Sequence, residues 1–195
     1  MRQMVETYDW YPGTNYTSPP VGSSCFGVQG YKTIAYEIFE DLGDDLPEYI
    51  LVPVSRGDLL WGIYEGFKEL LEFNCISACP KLVCVEPFMR LSKVLEGEDY
   101  RNDFQGDSSL TSSIGGTTVT YQALKAVSES WGFACVAPQS KVSEDIRQMA
   151  HFGLYLEASS ATIFSALLEA AENRKIEKNS KVLLIATSSG FKNNE

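Results

Sequence analysis

The chain has 195 residues, of which 44% are hydrophobic and 22% charged, a composition typical of a globular protein with a buried core. Its formal net charge of −10 argues against nucleic acid and anionic membranes as partners, because both bind through clusters of Lys and Arg. No apolar run reaches the roughly 20 residues that span a bilayer. The first residues also lack the apolar stretch of a secretory signal. The sequence therefore predicts a cytoplasmic protein.

The cysteines and the single histidine do not form a pattern typical of a metal site. Cys75, Cys79 and Cys84 lie close together but contain no Cys-x-x-Cys pair, and His151 is the only histidine. The five cysteines are an odd set, and three of them lie in or beside apolar segments, where a free Cys behaves as a small hydrophobe. We therefore predict reduced thiols and no metal. His151 has no Ser or Cys near it with the context of a nucleophile, so no catalytic triad is predicted.

Residues 1–30 and 31–195 differ in pattern. The first segment combines Pro12, Gly13 and Pro19 with little periodicity, which predicts an irregular entry to the fold. An irregular segment of this length suggests that a neighbouring part of the fold is missing. From Tyr31 onward the apolar residues recur regularly, so we expect a single α/β domain.

Predicted strands and helices alternate along that domain. The run over residues 49–54 is nearly all apolar, as expected for a buried parallel strand. Parallel neighbours require crossover helices on the faces of the sheet, so the alternation predicts an α/β fold with a doubly wound, mostly parallel sheet and helices on both faces. The strands are predicted at residues 49–54, 81–86, 133–137 and 181–186, and the helices at 31–42, 58–73, 121–131, 143–152 and 159–174, with residues 87–118 mostly loop.

The turn after the first strand is a candidate anion site. It leads directly into a predicted helix, whose N-terminal amides and positive dipole end attract a phosphate. The alternative is an ordinary strand-to-helix turn in which Asp58 caps the helix. Asp58 would also oppose a phosphate unless its side chain points away. The candidate residues are Ser55, Arg56, Gly57, Asp58 and Leu59.

Hydroxyl side chains follow the last predicted strand, and ligands of open α/β sheets collect at the carboxyl ends of strands. Thr187 and Ser188 can donate to or accept from a ring nitrogen or a carboxylate. A plain C-terminal turn is the alternative. Further upstream, Ser159 and Ser160 follow an acidic residue at a predicted helix start, and there we favour capping of the helix over a functional role.

Taken in chain order, these segments resemble the fold-type II pyridoxal-phosphate enzymes, specifically threonine synthase and the threonine and serine dehydratases. Residues 53–63 are similar to the segment whose glycine-rich loop holds the cofactor phosphate. Residues 187–193 resemble the Thr-Gly-His-Gly-Leu-Lys-Asp segment, and residues 156–161 resemble Glu-Pro-Ser-Ser-Ala with Ala158 in place of proline. Further likenesses occur at residues 30–38, 66–70, 80–86, 120–124 and 130–132, so the resemblance covers residues 28–193.

The resemblance implies pyridoxal phosphate as the cofactor and an amino acid as the substrate. By the same resemblance, backbone amides of residues 55–59 would hold the phosphate, and Thr187, with Ser188 as second choice, would face the pyridine nitrogen. A neutral hydroxyl there leaves the nitrogen largely unprotonated, which favours β- or γ-elimination and replacement. The chain departs from the family in two places: Ser55, Arg56 and Asp58 replace glycines or small residues of the phosphate loop, and Ser188-Ser189 replace Gly-His in the last motif. Arg56 would add a contact to the phosphate, whereas Asp58 would oppose one.

The Schiff-base lysine of the family lies, by this resemblance, in an N-terminal region that the chain does not contain. None of the ten lysines is in a matching context, so we expect no catalytic residue, no covalent attachment of the cofactor and no catalysis by this chain alone. Three explanations stay open: a fragment of a longer enzyme, one half of a naturally split enzyme, or a non-catalytic binding module. The expected partner is an N-terminal complementary half, or a second copy joined through an exposed sheet edge.

Overall fold

The computed structural model describes residues 2–11 and 19–192, so Pro12, Gly13 and Asn193 lie outside the described residues. None of the described helices combines the length and apolar character that crossing a bilayer requires. The helices are α1 (Arg2–Tyr8), α2 (Cys25–Gln29), α3 (Lys32–Leu42), α4 (Asp58–Glu72), α5 (Leu91–Leu95), α6 (Tyr121–Glu129), α7 (Val142–His151), α8 (Ala158–Ala161) and α9 (Ile163–Glu172), and the strands are β1 (Tyr49–Pro53), β2 (Lys81–Glu86), β3 (Phe133–Val136) and β4 (Val182–Leu184).

The strands form one parallel sheet in the order β3-β2-β1-β4. Leu51 of β1 pairs with Val83 of β2 on one side and with Leu184 of β4 on the other. The chain therefore builds the sheet outward from β1 to β3 and then returns to place β4 on the opposite side of β1. The direction of winding reverses between β1 and β4, and ligands of open α/β sheets bind at such a point.

Helices cover both faces of the sheet, which confirms the predicted α/β class. The side chains of β1 alternate between two separate cores, because successive residues of a strand point to opposite faces. Ile50 and Val52 pack in the core formed with α3, α4 and α6. Tyr49 and Leu51 pack in the core formed with α7, α8 and α9. All of β1 is buried, as its nearly continuous apolar sequence predicts.

The edge strand β4 is the least covered strand. Val182, Leu183 and Leu184 are all only partly buried. Leu183 packs against one core while Val182 and Leu184 pack against the other, so apolar atoms are half-exposed on both faces. Within the described residues no strand lies on the outer side of β4. A half-covered apolar edge strand is a surface suited to pairing with a further strand.

Two predictions about local structure are wrong. The described parts of the segment predicted to be irregular contain α1 and α2, and neither helix includes Pro12, Gly13 or Pro19, on which that prediction relied. The single helix predicted over residues 159–174 is divided into α8 and α9. At the division, Thr162 Oγ1 donates to the carbonyl of Ser159 at 2.7 Å, and a side chain that binds the backbone in this way competes with regular helix. The long polar region before α6 is mostly loop, as predicted, but includes α5.

Asp145 is a buried carboxylate that connects α7 to α9. The residue is 2% exposed, and its Oδ2 accepts a hydrogen bond from Ser165 Oγ at 2.7 Å. Burial raises the pKa of the Asp145 carboxyl from 3.8 to about 6, although the hydrogen bond from Ser165 acts in the opposite direction. Because the folded chain holds this proton more tightly than the unfolded chain, stability falls as the pH rises from 3.8 to about 6.

We predict that Asp145→Asn raises the free energy of unfolding by about 2 kcal/mol at about pH 7.5 and changes it little at about pH 4. Urea unfolding followed by circular dichroism at both pH values measures the difference. Glu144→Gln is the matched control on the same helix. Hydrogen bonding to Gln148 and the nearby Arg147 charge lower the pKa of the partly exposed Glu144, so this control should not gain stability at the higher pH. An equal gain in both variants would contradict the assignment to Asp145.

Candidate functional site

A cavity of about 310 Å³ lies where the winding of the sheet reverses, at the carboxyl ends of β1 and β4. Its walls come from the loop after β1, the start of α4, the turn over residues 113–114, and one residue each from the segments before α8 and after β4. The structure therefore brings residues 55–59 and Thr187 to one cavity. The lining residues are Pro53, Val54, Ser55, Arg56, Gly57, Asp58, Leu59, Leu60, Ser113, Ile114, Glu157 and Thr187.

Gly57 caps helix α4 in place of the predicted Asp58. Its φ of 91° lies in the left-handed region that glycine adopts at little cost, and a Cβ there would lie 2.4 Å from the Cβ of Ala123 in α6. The interpretation of Asp58 as the N-cap is wrong, because Asp58 is already the first residue of α4. Its Oδ2 accepts a hydrogen bond from Ser23 Oγ at 2.5 Å, and its Oδ1 is buried with no partner among the described residues.

The backbone carbonyls of the loop after β1 accept hydrogen bonds from other parts of the chain. The Val54 and Ser55 carbonyls accept hydrogen bonds from Arg90, and the Arg56 carbonyl accepts one from Thr120 Oγ1 at 2.6 Å. The backbone amides of Ser55 and Gly57 have no acceptor within the described part of the chain. A buried amide without an acceptor costs free energy, and Gly57 is a buried residue. The unpaired amides of this loop are therefore donors available to a ligand.

The buried ion pair of Glu86 and Arg90 supports this loop from behind. Arg90 Nε lies 3.7 Å from Glu86 Oε2, and the two side chains are 2% and 1% exposed. Glu86 also accepts hydrogen bonds from the backbone amides of Leu91 and Ser92, at 2.8 and 3.0 Å. Neither charged residue was predicted from the sequence to belong to the site. Their spacing of four residues directly after a buried strand is the signal that would have indicated a buried pair.

The opposite wall of the cavity forms where the segment before α8 pairs with the segment after β4. Leu156 and Ser189 form an antiparallel bridge, and the Glu157 amide donates to the Ser188 carbonyl at 3.1 Å. Two of the segments that resemble the pyridoxal-phosphate enzymes are therefore neighbours in space, although about thirty residues separate them in the sequence.

Ser160 forms a hydrogen bond with Thr187 across this pairing. The two hydroxyl oxygens are 2.6 Å apart, and either one can be the donor. The prediction that Ser159 or Ser160 caps a helix is wrong, because α8 begins at Ala158 and places both serines inside it. Glu157 precedes α8 but makes no capping hydrogen bond with its side chain. Its carboxylate, in a residue only 8% exposed, instead belongs to the cavity wall.

Ser188 contributes a further hydroxyl beside Thr187. Its Oγ is buried and has no hydrogen-bond partner among the described residues. Thr187, by contrast, already shares a hydrogen bond with Ser160. The Thr187 hydroxyl is therefore polarised by a neighbour, whereas the Ser188 hydroxyl is unpaired. Of these two residues, only Thr187 lines the cavity.

A second cavity of about 300 Å³ lies at the opposite end of the sheet, between the turn after α3 and the segment before β2. It contains Cys75 and Cys79. Burial raises the pKa of the Cys79 thiol to about 12, so this sulfur is protonated and unreactive at neutral pH. Within residues 2–11 and 19–192, no three His, Cys, Asp or Glu side chains converge as metal ligands would. The cavity beside β1 and β4 is therefore the stronger candidate.

We predict that Gly57→Ala destabilises the chain more than Gly153→Ala does. Both glycines have a left-handed φ, of 91° and 82°, but a Cβ at Gly153 would meet nothing within 4 Å. Gly153→Ala should therefore cost about 1 kcal/mol, from backbone strain alone. Gly57→Ala should cost about 1–3 kcal/mol more, because the new methyl group collides with Ala123. Urea unfolding of both variants provides the comparison, and equal losses would contradict a close contact between the loop and α6.

Comparisons with known proteins agree with this architecture. Residues 1–188 match the family described as "Pyridoxal-phosphate dependent enzyme". Threonine synthase of Methanocaldococcus jannaschii is 27% identical over 177 residues, which are 86% of this chain and 43% of that protein. Threonine synthase 2 of Arabidopsis thaliana is 22% identical over 85% of this chain and 33% of its own length. The chain thus spans less than half the length of these two relatives.

Solved structures with the same fold include an L-serine ammonia-lyase from Rhizomucor miehei, with a TM-score of 0.68 and 20% identity over 85% of this chain and 53% of that one. Serine racemase from Dictyostelium discoideum also has a TM-score of 0.68, with 21% identity over 97% of this chain and 56% of that one. These neighbours share the fold, and the resemblance inferred from the sequence motifs is confirmed. With a family match over residues 1–188 of 195, the chain belongs to the pyridoxal-phosphate-dependent enzyme family.

Proposed function

We propose that this chain is the C-terminal portion of a pyridoxal-phosphate enzyme that performs β- or γ-elimination or replacement on an amino acid. The observation that carries the proposal is the cavity at the carboxyl ends of β1 and β4, where unpaired loop amides face the same space as Thr187. The relatives named threonine synthase and L-serine ammonia-lyase support an amino-acid substrate. The proposed location is the cytoplasm.

The residues present fit pyridoxal phosphate at its two ends. The amides of Ser55 and Gly57, followed by the first amides of α4, form a set of donors suited to a phosphate. At the other end, the Thr187 hydroxyl lines the cavity and suits a neutral ring nitrogen, with the buried, unpaired Ser188 hydroxyl beside it. Bound there, pyridoxal phosphate would supply an electron sink for a carbanion on the substrate.

Each part of this chain would have one task in that arrangement. Residues 55–59 would bind the phosphate, with Arg56 as an additional cation beside it. Thr187 would hold the ring nitrogen, and Ser160 would orient the Thr187 hydroxyl through their 2.6 Å hydrogen bond. Glu157 would place a carboxylate in the same cavity, where it would attract the amino group of an incoming amino acid.

The lysine that forms the Schiff base would come from a complementary N-terminal half. No lysine lines the described cavity, and the chain covers only 43% of the Methanocaldococcus threonine synthase. The half-covered edge strand β4 supports this proposal, because it runs directly toward Thr187 and offers an edge where a further strand can pair. The alternative partner for the edge of β4 is a second copy of the chain.

A non-catalytic module that binds a partner or a small anion is the alternative function. Asp58 favours it, because its unpaired and buried Oδ1 lies in the residue that begins the proposed phosphate-binding helix. A carboxylate there repels an anion. An upstream gene that encodes a Ser-x-Lys segment of the family would favour the split enzyme, and a partner chain without such a lysine would favour the module.

We predict that the purified chain, mixed with pyridoxal phosphate and reduced with borohydride, forms no adduct on a single specific lysine. The physical reason is the lack of a lysine in the cavity wall. Absorption spectra before reduction and intact mass after it provide the measurement. Lys192→Arg is the control, because Lys192 is the lysine that follows Thr187 in the same motif. A single adduct that this variant removes would show that the chain carries its own Schiff-base lysine.

We predict that Thr187→Val weakens binding of pyridoxal phosphate about tenfold in a complex that contains the lysine-bearing half, because a hydrogen bond to the ring nitrogen is lost. Ser160→Ala should cause a smaller loss, since it removes only the hydroxyl that orients Thr187. Equilibrium titration followed by cofactor absorbance measures both. Ser189→Ala, an exposed neighbour in the same segment, is the matched control. Unchanged affinity of the Thr187 variant would contradict its assigned role.

A further inference from the structure

Arg90 forms hydrogen bonds to four backbone carbonyls in two different loops. Its Nη2 donates to Val54 and Ile114, at 2.9 and 3.2 Å, and its Nη1 donates to Gly116 and Ser55, at 2.9 and 3.4 Å. Val54 and Ser55 belong to the loop after β1, and Ile114 belongs to the facing turn. Both stretches line the cavity, whereas Arg90 itself does not. A single buried guanidinium therefore joins two walls of the proposed site from outside it.

The direction of these hydrogen bonds determines where the loop amides point. In a planar trans peptide the carbonyl and the following amide point in opposite directions. Because the Val54 carbonyl is bound to Arg90, the amide of Ser55 points away from Arg90. The Arg56 carbonyl is held in the same manner by Thr120, so the amide of Gly57 points away from α6. Both amides lack an acceptor within the described residues.

The cost of burying this guanidinium is offset by Glu86. Nη1 and Nη2 reach carbonyl acceptors, whereas Nε has no hydrogen-bond partner among the described residues. A buried charge without a counter-charge would cost several kcal/mol. Glu86 supplies the charge at 3.7 Å and is itself fixed by the amides at the start of α5. Ser55 Oγ adds a direct link between the same two loops by donating to the Gly115 carbonyl at 2.8 Å.

We infer that Arg90 is a positioning residue for the phosphate-binding loop. It orients the loop by binding the Val54 and Ser55 carbonyls, which directly precede the Ser55 and Arg56 amides. The inference rests on the proposed function, because it concerns how that phosphate is held. A lysine cannot replace this arginine, since an ammonium group is a point charge without the planar fork that reaches four carbonyls in two loops.

The test compares Arg90→Lys with the wild-type chain by nuclear magnetic resonance. In the absence of ligand, we expect the order parameter of the Ser55 amide to fall from about 0.85 to below about 0.7 in the variant, because Arg90 binds the carbonyl that precedes this amide. We also expect binding of pyridoxine 5′-phosphate to weaken about ten- to hundredfold, as when outer groups that orient a binding site are removed. This probe carries the phosphate and the ring but no aldehyde, so it binds without a lysine.

Two further variants separate orientation from stability. Ile163→Val removes one methylene from the core on the other face of the sheet, and it should lower the free energy of unfolding while leaving the loop amides and the affinity unchanged. The double variant Glu86→Gln with Arg90→Met removes both buried charges, so it should fold, but it should show the same mobile loop and weak binding as Arg90→Lys.

The outcomes distinguish this inference from the proposed function. If the wild-type chain shows no amide shifts over residues 55–59 on addition of pyridoxine 5′-phosphate, the proposed phosphate site is wrong. The order parameters of the ligand-free chains still decide the role of Arg90 in that case. If Arg90→Lys or the double variant keeps wild-type order parameters, Arg90 does not position the loop and the inference is overturned. Loop order lost equally in Ile163→Val would overturn it as well.

Discussion

The structure depends on the parallel pairing of β1 with a strand on each side. β1 is wholly buried, and four of its side chains alternate between the two cores, so the helices on both faces are anchored to the same strand. Its neighbours β2 and β4 are far apart in the sequence. Because parallel strands end at the same edge, this pairing alone places the loop after β1 beside the segment after β4. The candidate site follows from that arrangement.

The walls of the site are held mainly by hydrogen bonds to backbone groups. Arg90 and Thr120 bind the carbonyls of the loop after β1, while residues 156 and 189 join the opposite wall through a strand-like bridge. Such contacts fix the direction of peptide groups and leave side chains free to vary. This explains how the loop can carry Arg56 and Asp58 in place of small residues and still form a turn into α4. The turn itself depends on Gly57, which no other residue can replace without strain.

Under the proposed function, the cavity contains only part of what a pyridoxal-phosphate enzyme needs. The proposed phosphate donors and the proposed hydroxyl partner of the ring nitrogen lie in this chain, whereas the proposed Schiff-base lysine would enter from the complementary half. The half-exposed strand β4 ends next to Thr187, so one docking event would complete the sheet and the site together. Folding, assembly and cofactor binding would then be coupled, because a partner that binds only the folded chain also stabilises it.

The sequence by itself determined the elements and the class of the fold. The apolar run of β1, the helical spacing before Gly43 and the alternation of strands with helices all depend on residues that are close in the chain, and local patterns report such features well. The order of motifs also indicated the family. Patterns failed at Thr162, where a side-chain hydrogen bond to the Ser159 carbonyl competes with regular helix, and at Gly57, which occupies the cap position with a left-handed φ and lies against the distant Ala123.

Only the tertiary structure paired Ser160 with Thr187 and placed Arg90 behind the loop after β1. Capping was the reasonable local interpretation of Ser160, because a serine near a helix start usually serves its own helix. Nothing in the sequence around Arg90 indicates which carbonyls it will bind, since these belong to loops up to 36 residues away. Such contacts depend on how two cores pack against one sheet. Local periodicity therefore determines where the strands and helices lie, and long-range packing determines which polar groups meet at the site.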